Sequence, residues 1–226
     1  MWYLSKNQSG KLEKLSRDLI AKNGWADQFA VTNRVMSELF NELTKLNLGQ
    51  TSRYKVRKEL VDTLIVLQHP INHLKISEYE LENIGLVGDA ENEAKIPRIY
   101  RRVMDITYVP KADLHTELDI MAKKVMETPV KNNAYDRSKR QIYLVAEELL
   151  ELMKELSKYV RIQDTRGTTD YKEKKLSDNR AHIVAELFDI LYTMRYVMLA
   201  QDITPKQINQ LAAMRIKDIR DRELGR

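Results

Sequence analysis

The chain has 226 residues, with 38 Lys and Arg against 33 Asp and Glu, a formal net charge of +5 and a pI near 9.2. It contains no Cys, which excludes disulfides, thiolate zinc sites and a Cys nucleophile and fits a reducing compartment. Only 7 Gly and 5 Pro, set against abundant Leu, Lys, Glu and Met, predict an all-α protein.

In chain order, residues 10–23 space Leu12, Leu15, Leu19 and Ile20 at helical intervals and stop at Gly24. A second helix is predicted from Asp27 to Leu48 on one wide apolar stripe, Val35, Met36, Leu39, Phe40 and Leu43 among it, and Gly49 breaks it. A third follows Ser52, carries KELVDTLIVLQ and meets Pro70, which lacks an N–H donor and should kink or end it. Ser77 with Glu80 has the form of a capping box.

Residues 85–112 combine Gly, polar residues and Pro and are expected to link two halves, 1–84 and 113–226, with a short helix near Arg98 to Met104. One compact domain overall is the alternative to this division. Further helices are predicted over 113–127 and 135–159, then a loop over 161–178, RIQDTRGTTDYKEKKLSD, which lacks apolar periodicity. Asp178 is the expected N-cap of the next helix, and Thr204-Pro205 with Gln207 that of the last, over 205–222.

The N-terminal MWYLSKNQSGKLEKL shows no basic-then-apolar signal, and apolar runs are far short of the ~20 residues that span a bilayer. A cytoplasmic protein without membrane contact is expected. Lys and Arg are scattered among the acids as on solvated helix faces, so a nucleic-acid partner is not expected.

Two helices depart from this pattern. ELFDILYTMRYVM, 186–198, is apolar almost all round yet carries Glu186 and Asp189 three residues apart on one face. LVAEELLELMKEL, 144–156, sets Glu147, Glu148 and Glu151 among Leu, Val and Met. Buried unpaired carboxylates cost several kcal/mol each, so a positive partner must meet them. With no His or Cys in either cluster the donors are hard oxygens, which suit Mg²⁺, with Mn²⁺ as an alternative, rather than zinc. Glu155 and His182 read as ordinary helix-surface residues.

The first half echoes the second. Residues 35–41 can be laid on 145–151, and 59–65 on 186–192, so that Glu38, Glu59 and Asp62 match Glu148, Glu186 and Asp189. Ser37 and Asn41 stand where Glu147 and Glu151 stand later, leaving a partial ligand set and a half expected to be mainly scaffold.

EELLE at 147–151 followed by ELFD at 186–189 resembles the EExxE and ExxD signature of the all-α nucleotide pyrophosphohydrolases, the superfamily of MazG-like proteins, dimeric dUTPases and dCTP pyrophosphatases. The resemblance covers about 135–222, with a degenerate copy over about 10–75, and the 34 residues between Glu151 and Glu186 are long for the motif. It implies a MazG-like helical bundle of two tandem halves and a homo-oligomer, a dimer before others. The implied activity is Mg²⁺-dependent hydrolysis of a nucleoside triphosphate to monophosphate and pyrophosphate. Carried onto this sequence, it makes Glu148, Glu151, Glu186 and Asp189 metal ligands, with Glu147 or Glu148 orienting or deprotonating the attacking water. Lys175, Arg180, Lys217 and Arg220 are candidate phosphate contacts, and Asn132, Asn133 and Tyr135 candidate base contacts. The rival readings are a basic helical nucleic-acid-binding protein and a non-catalytic regulatory or assembly module.

Overall fold

A computed structural model describes residues 3–88, 95–97, 109–127, 137–165 and 168–225. The predicted helix at 98–104 and the candidate base contacts Asn132, Asn133 and Tyr135 lie outside them. The described residues form an all-α protein without strands. Its helices are α1 (Lys6–Asn23), α2 (Trp25–Asn47), α3 (Arg53–His73), α4 (Glu78–Glu82), α5 (Leu114–Glu127), α6 (Arg137–Asp164), α7 (Thr169–Ala200) and α8 (Pro205–Leu224), with a π-helical turn at Asn83–Val87 after α4.

The starts follow local chemistry. Ser5, Ser52, Ser77 and Thr204 each accept a backbone N–H with the side chain, satisfying donors that the first helical turn leaves open. Ser77 with Glu80 and Thr204 with Gln207 complete reciprocal capping boxes. Gly24, at φ 83°, ends α1 and begins α2, a left-handed backbone that a side chain would strain.

Two helical hairpins, α2–α3 and α6–α7, form the centre, with α2 laid against α6. Around them α1 packs on α3, and α5 packs on α7. The last helix, α8, covers α1 and α3, while α4 and the π-helical turn cover α7. The core is one continuous cluster reaching from Leu12, Met36, Leu39 and Leu64 to Leu149, Leu152, Leu187, Leu191 and Ile208. Each such side chain contributes about 1.5–3 kcal/mol on burial, and truncating one, Leu149→Ala for example, would cost about 2–5 kcal/mol.

Three local expectations are corrected. Pro70 does not end α3, which runs on to His73: it falls in the last turn, and its carbonyl still accepts from the Leu74 N–H at 2.9 Å. The carbonyl that a proline deprives of its donor, Val66 O, is approached at 3.4 Å by the Thr32 hydroxyl, which also donates to Gln28 O at 2.7 Å. The predicted loop over 161–178 is mostly helix, since α6 continues to Asp164 and α7 begins at Thr169, with Thr168 rather than Asp178 at its cap. Its Lys and Glu residues are good helix formers on a hairpin tip that is mostly solvent-exposed, so no apolar stripe is needed there. Lys172 Nζ fastens this tip by donating to Gln163 O at 2.5 Å. Glu155, expected on an open surface, has a side chain only 13% exposed, accepting from Asn179 Nδ2 at 2.5 Å and pairing with Lys158 at 3.2 Å.

Among the described residues no helix is long and apolar enough to cross a membrane.

Candidate metal centre

The centre lies between α6 and α7. On α6, Val145, Leu149, Leu152 and Leu156 are fully buried, and this stripe draws Glu148 partly inward beside it. On α7, Ile183, Leu187, Phe188 and Ile190 are fully buried and leave Glu186 and Asp189 on the narrow polar strip between them. Antiparallel packing then brings one carboxylate oxygen from each of Glu148, Glu186 and Asp189 within 4.8 Å of the others. A single cation can bridge three oxygens so placed.

The electrostatics are those of crowded acids. Burial, followed by the charges of Asp189, Glu151 and Glu186, pushes the Glu148 carboxyl up to about 8, with Lys95 opposing. Burial and then Asp189 push Glu186 up to about 7, again against Lys95. Glu186 Oε2 is buried without a hydrogen-bond partner. A buried acceptor beside two more acids favours positive charge, whether a proton or a cation.

The chain supplies one such charge itself. Lys95 Nζ ion-pairs with Asp189 and donates to Ala185 O at 3.1 Å, and it lies 5.9 Å from the centroid of the Phe188 ring. Neighbouring Ile96 is fully buried and anchors this short helical segment. Gly85 of the π-helical turn lies against Phe188: a Cβ there would overlap the ring and come within 2.8 Å of Leu114 Cδ1.

The other candidate residues are placed differently. Glu151 is exposed but acts on Glu148 and Glu186 through its charge, and Glu186 shares a side-chain hydrogen bond with it, so it stands at the mouth. Glu147 is exposed, one turn from Glu151 along the same edge. Arg180 donates to Leu74 O at 2.9 Å, Lys75 O at 3.2 Å and Glu80 Oε1 at 2.6 Å. Lys175, its Nζ 4.6 Å from the Tyr171 ring centroid, lines a shallow groove at the hairpin tip with Lys158, Arg161, Asn179 and His182. It is eleven residues from Glu186, about 16 Å along α7. Lys217 is exposed on α8, and Arg220 Nη2 lies 3.6 Å from Asp221, on a helix that covers α1 and α3.

The matching acids of the first half meet cations of the chain. Glu38 pairs with Arg34 on the surface at 2.8 Å. Lys58 Nζ lies 2.8 Å from Glu59 and 3.2 Å from Asp62. Arg215 grips Asp62 with Nε to Oδ1 at 2.7 Å and Nη2 to Oδ2 at 2.8 Å.

Lys95 and Arg215 are not among the residues that the sequence singles out. Arg215 had a signal, since it follows Ile208 by seven residues and so stands on the buried stripe of α8, as the acids do on α7. Lys95, one cation in the polar stretch GDAENEAKIP, had no spacing that marked it. No protein-family model, curated protein or solved structure matches the chain.

Proposed function

We propose that the protein is a divalent-cation-dependent nucleoside triphosphate pyrophosphohydrolase, converting an NTP or dNTP to the monophosphate and pyrophosphate. The observation that carries this reading is the convergence of Glu148, Glu186 and Asp189 on one point, with oxygens within 4.8 Å, from the EELLE and ELFD motifs that resemble the superfamily's signature. The parallel packing of α1 on α3 and α5 on α7, with α8 and α4 each crossing to the other hairpin, supports an internal duplication.

The residues present fit a hard divalent ion, Mg²⁺ or Mn²⁺: the donors are all carboxylate oxygens, and one buried oxygen of Glu186 has no partner. Glu148, Glu186 and Asp189 would hold it, with Glu151 at the mouth. Such an ion supplies charge neutralisation for the triphosphate and acidifies water bound beside it.

In this reading the exposed Glu147 would orient the water and take its proton as the water oxygen bonds to phosphorus. The α–β phosphoanhydride bond breaks, and pyrophosphate leaves with the bonding electron pair. The first half acts as scaffold, its acids neutralised by Lys58 and Arg215. A cytoplasmic homodimer completes the reading, its assembly tested by sedimentation.

The test is pyrophosphate release from a panel of NTPs and dNTPs with Mg²⁺, by the wild type, Glu148→Gln and Asp189→Asn. Turnover of one or more nucleotides, lost in both variants while they stay folded, is the expected result. Folded wild-type protein that hydrolyses none of them overturns the proposal.

A further inference from the structure

Lys95 brings the chain's own positive charge to the three converging carboxylates. Its ammonium is paired with Asp189, one of the three converging carboxylates, and bonded to the carbonyl of Ala185 in the preceding turn of α7. The side chain is only 12% exposed, so the charge has been taken largely out of water and is held by these partners. Buried Ile96 and the following Pro97 fix the backbone from which it reaches.

We propose that Lys95 is an exchangeable counter-ion that competes with the divalent cation for Asp189, so that ammonium and metal occupy the centre alternately. This inference rests on the metal-site reading above. A unit cation and a dication cannot share one short carboxylate contact: the metal needs the Asp189 oxygen that the ammonium covers, and like charges at such range repel.

A comparison within the molecule shows why the lysine is the exchangeable kind. At Asp62 the arginine fork of Arg215 satisfies both carboxylate oxygens at 2.7 and 2.8 Å, and Lys58 adds a third bond at 3.2 Å. That carboxylate is fully engaged, by a guanidinium whose planar geometry favours permanence. At the α6–α7 centre a single flexible ammonium meets one carboxylate and one carbonyl. The difference lies at the aspartates, since Asp62 is gripped by a guanidinium fork and Asp189 by a lysine ammonium, while each centre keeps one buried glutamate oxygen without a partner, Glu59 Oε2 and Glu186 Oε2. With a divalent ion held by Glu148, Glu186 and Asp189, the Lys95 ammonium would be released from Asp189 to solvent.

The test uses the full chain without nucleotide. Mn²⁺ binding is measured by electron paramagnetic resonance for wild type, Lys95→Met, Lys95→Arg and Asp189→Asn. Removing the competing charge should tighten Mn²⁺ binding on the order of tenfold in Lys95→Met. Lys95→Arg should bind no more tightly than wild type, and Asp189→Asn should lose binding. Wild-type affinity equal to or greater than that of Lys95→Met overturns the competition while leaving the metal site standing. Absence of Mn²⁺ binding in both proteins overturns the competition and the metal site together. Because a variant could fail to fold, the wild type carries a second readout. Acylation of Lys95 by acetic anhydride, followed by peptide mass spectrometry, should accelerate several-fold on addition of Mg²⁺ as the amine is released to solvent. An unchanged acylation rate at saturating Mg²⁺ overturns the proposal.

Discussion

Arg215 of α8 holds Asp62 of α3 in a two-pronged grip, Nε to Oδ1 at 2.7 Å and Nη2 to Oδ2 at 2.8 Å, across 153 positions of sequence. The Asp62 side chain is 9% exposed, so removing the guanidinium leaves a nearly buried carboxylate with only Lys58 beside it. Arg215→Met should therefore destabilise the fold by about 2–4 kcal/mol, the range for breaking a largely buried pair from one side. Removing both charges, as Asp62→Leu with Arg215→Met, should recover most of that loss, because no unpaired charge then remains. Urea unfolding of the two single variants and the double variant measures the coupling. A double variant as unstable as the sum of the singles would contradict it.

Arg180 separates a structural from a ligand-binding role. Its guanidinium joins α7 to the C-terminal end of α3 through Leu74 O and Lys75 O and to the α4 capping box through Glu80. The Arg180 hydrogen bond is the first cause that holds the Glu80 carboxyl down at about 2. Arg180→Ala should lower stability by about 1–3 kcal/mol, the cost of stranding these acceptors. The KM for any nucleotide hydrolysed should stay within about twofold, since uniform substrate binding would be untouched. A large rise in KM with unchanged melting temperature would return Arg180 to the phosphates.

Legibility in the sequence followed the physics of each segment. Apolar periodicity exposed α1 to α3 and the acid-bearing parts of α6 and α7, because burial on one face is what writes a period of 3.6. The capping boxes at Ser77 and Thr204 were readable because they are completed within four residues. The helical tip around Lys172 is illegible as helix, since a helix exposed on most sides needs only propensity and has no stripe to display. Glu148, Glu186 and Asp189 were found because acids on apolar helices violate a local rule. Lys95 reaches Asp189 from 94 positions away, a contact that tertiary packing alone creates.

Gly85 controls the centre from behind. Any Cβ at this position would strike the Phe188 ring and approach Leu114 Cδ1 to 2.8 Å, and Phe188 is the residue next to Asp189. Phe188 is fully buried, so the ring has little room to yield. Gly85→Ala should cost about 1–3 kcal/mol of stability through overpacking, and shifting α7 should weaken Mn²⁺ binding as well. Calorimetric unfolding with a parallel Mn²⁺ titration tests both. Wild-type values for each would show that the π-helical turn moves away without consequence.

The crowding of acids sets a pH dependence with a definite sign. Glu148 holds its proton up to about 8 in the folded protein, against an ordinary carboxyl value of 4.5, and Glu186 up to about 7. Between 4.5 and these values the native state binds protons that the unfolded chain has released, so stability falls as pH rises through the window. Buried His69, its Nδ1 2.9 Å from Ser16 Oγ, acts in the opposite direction. Burial lowers it from 6.5 to about 4, so its contribution is lost as pH falls through that range. Above 6.5 the carboxylates act without this opposition. In EDTA the melting temperature should fall from pH 6.5 to 8, and Glu148→Gln should flatten the fall by removing the larger shift. Saturating Mg²⁺ should abolish it in the wild type, because a bound dication favours the ionised acids. Melting curves at both pH values, with EDTA and with Mg²⁺, check all three outcomes, and an EDTA profile flat between pH 6.5 and 8 would show that the three acids do not crowd one another as the geometry requires.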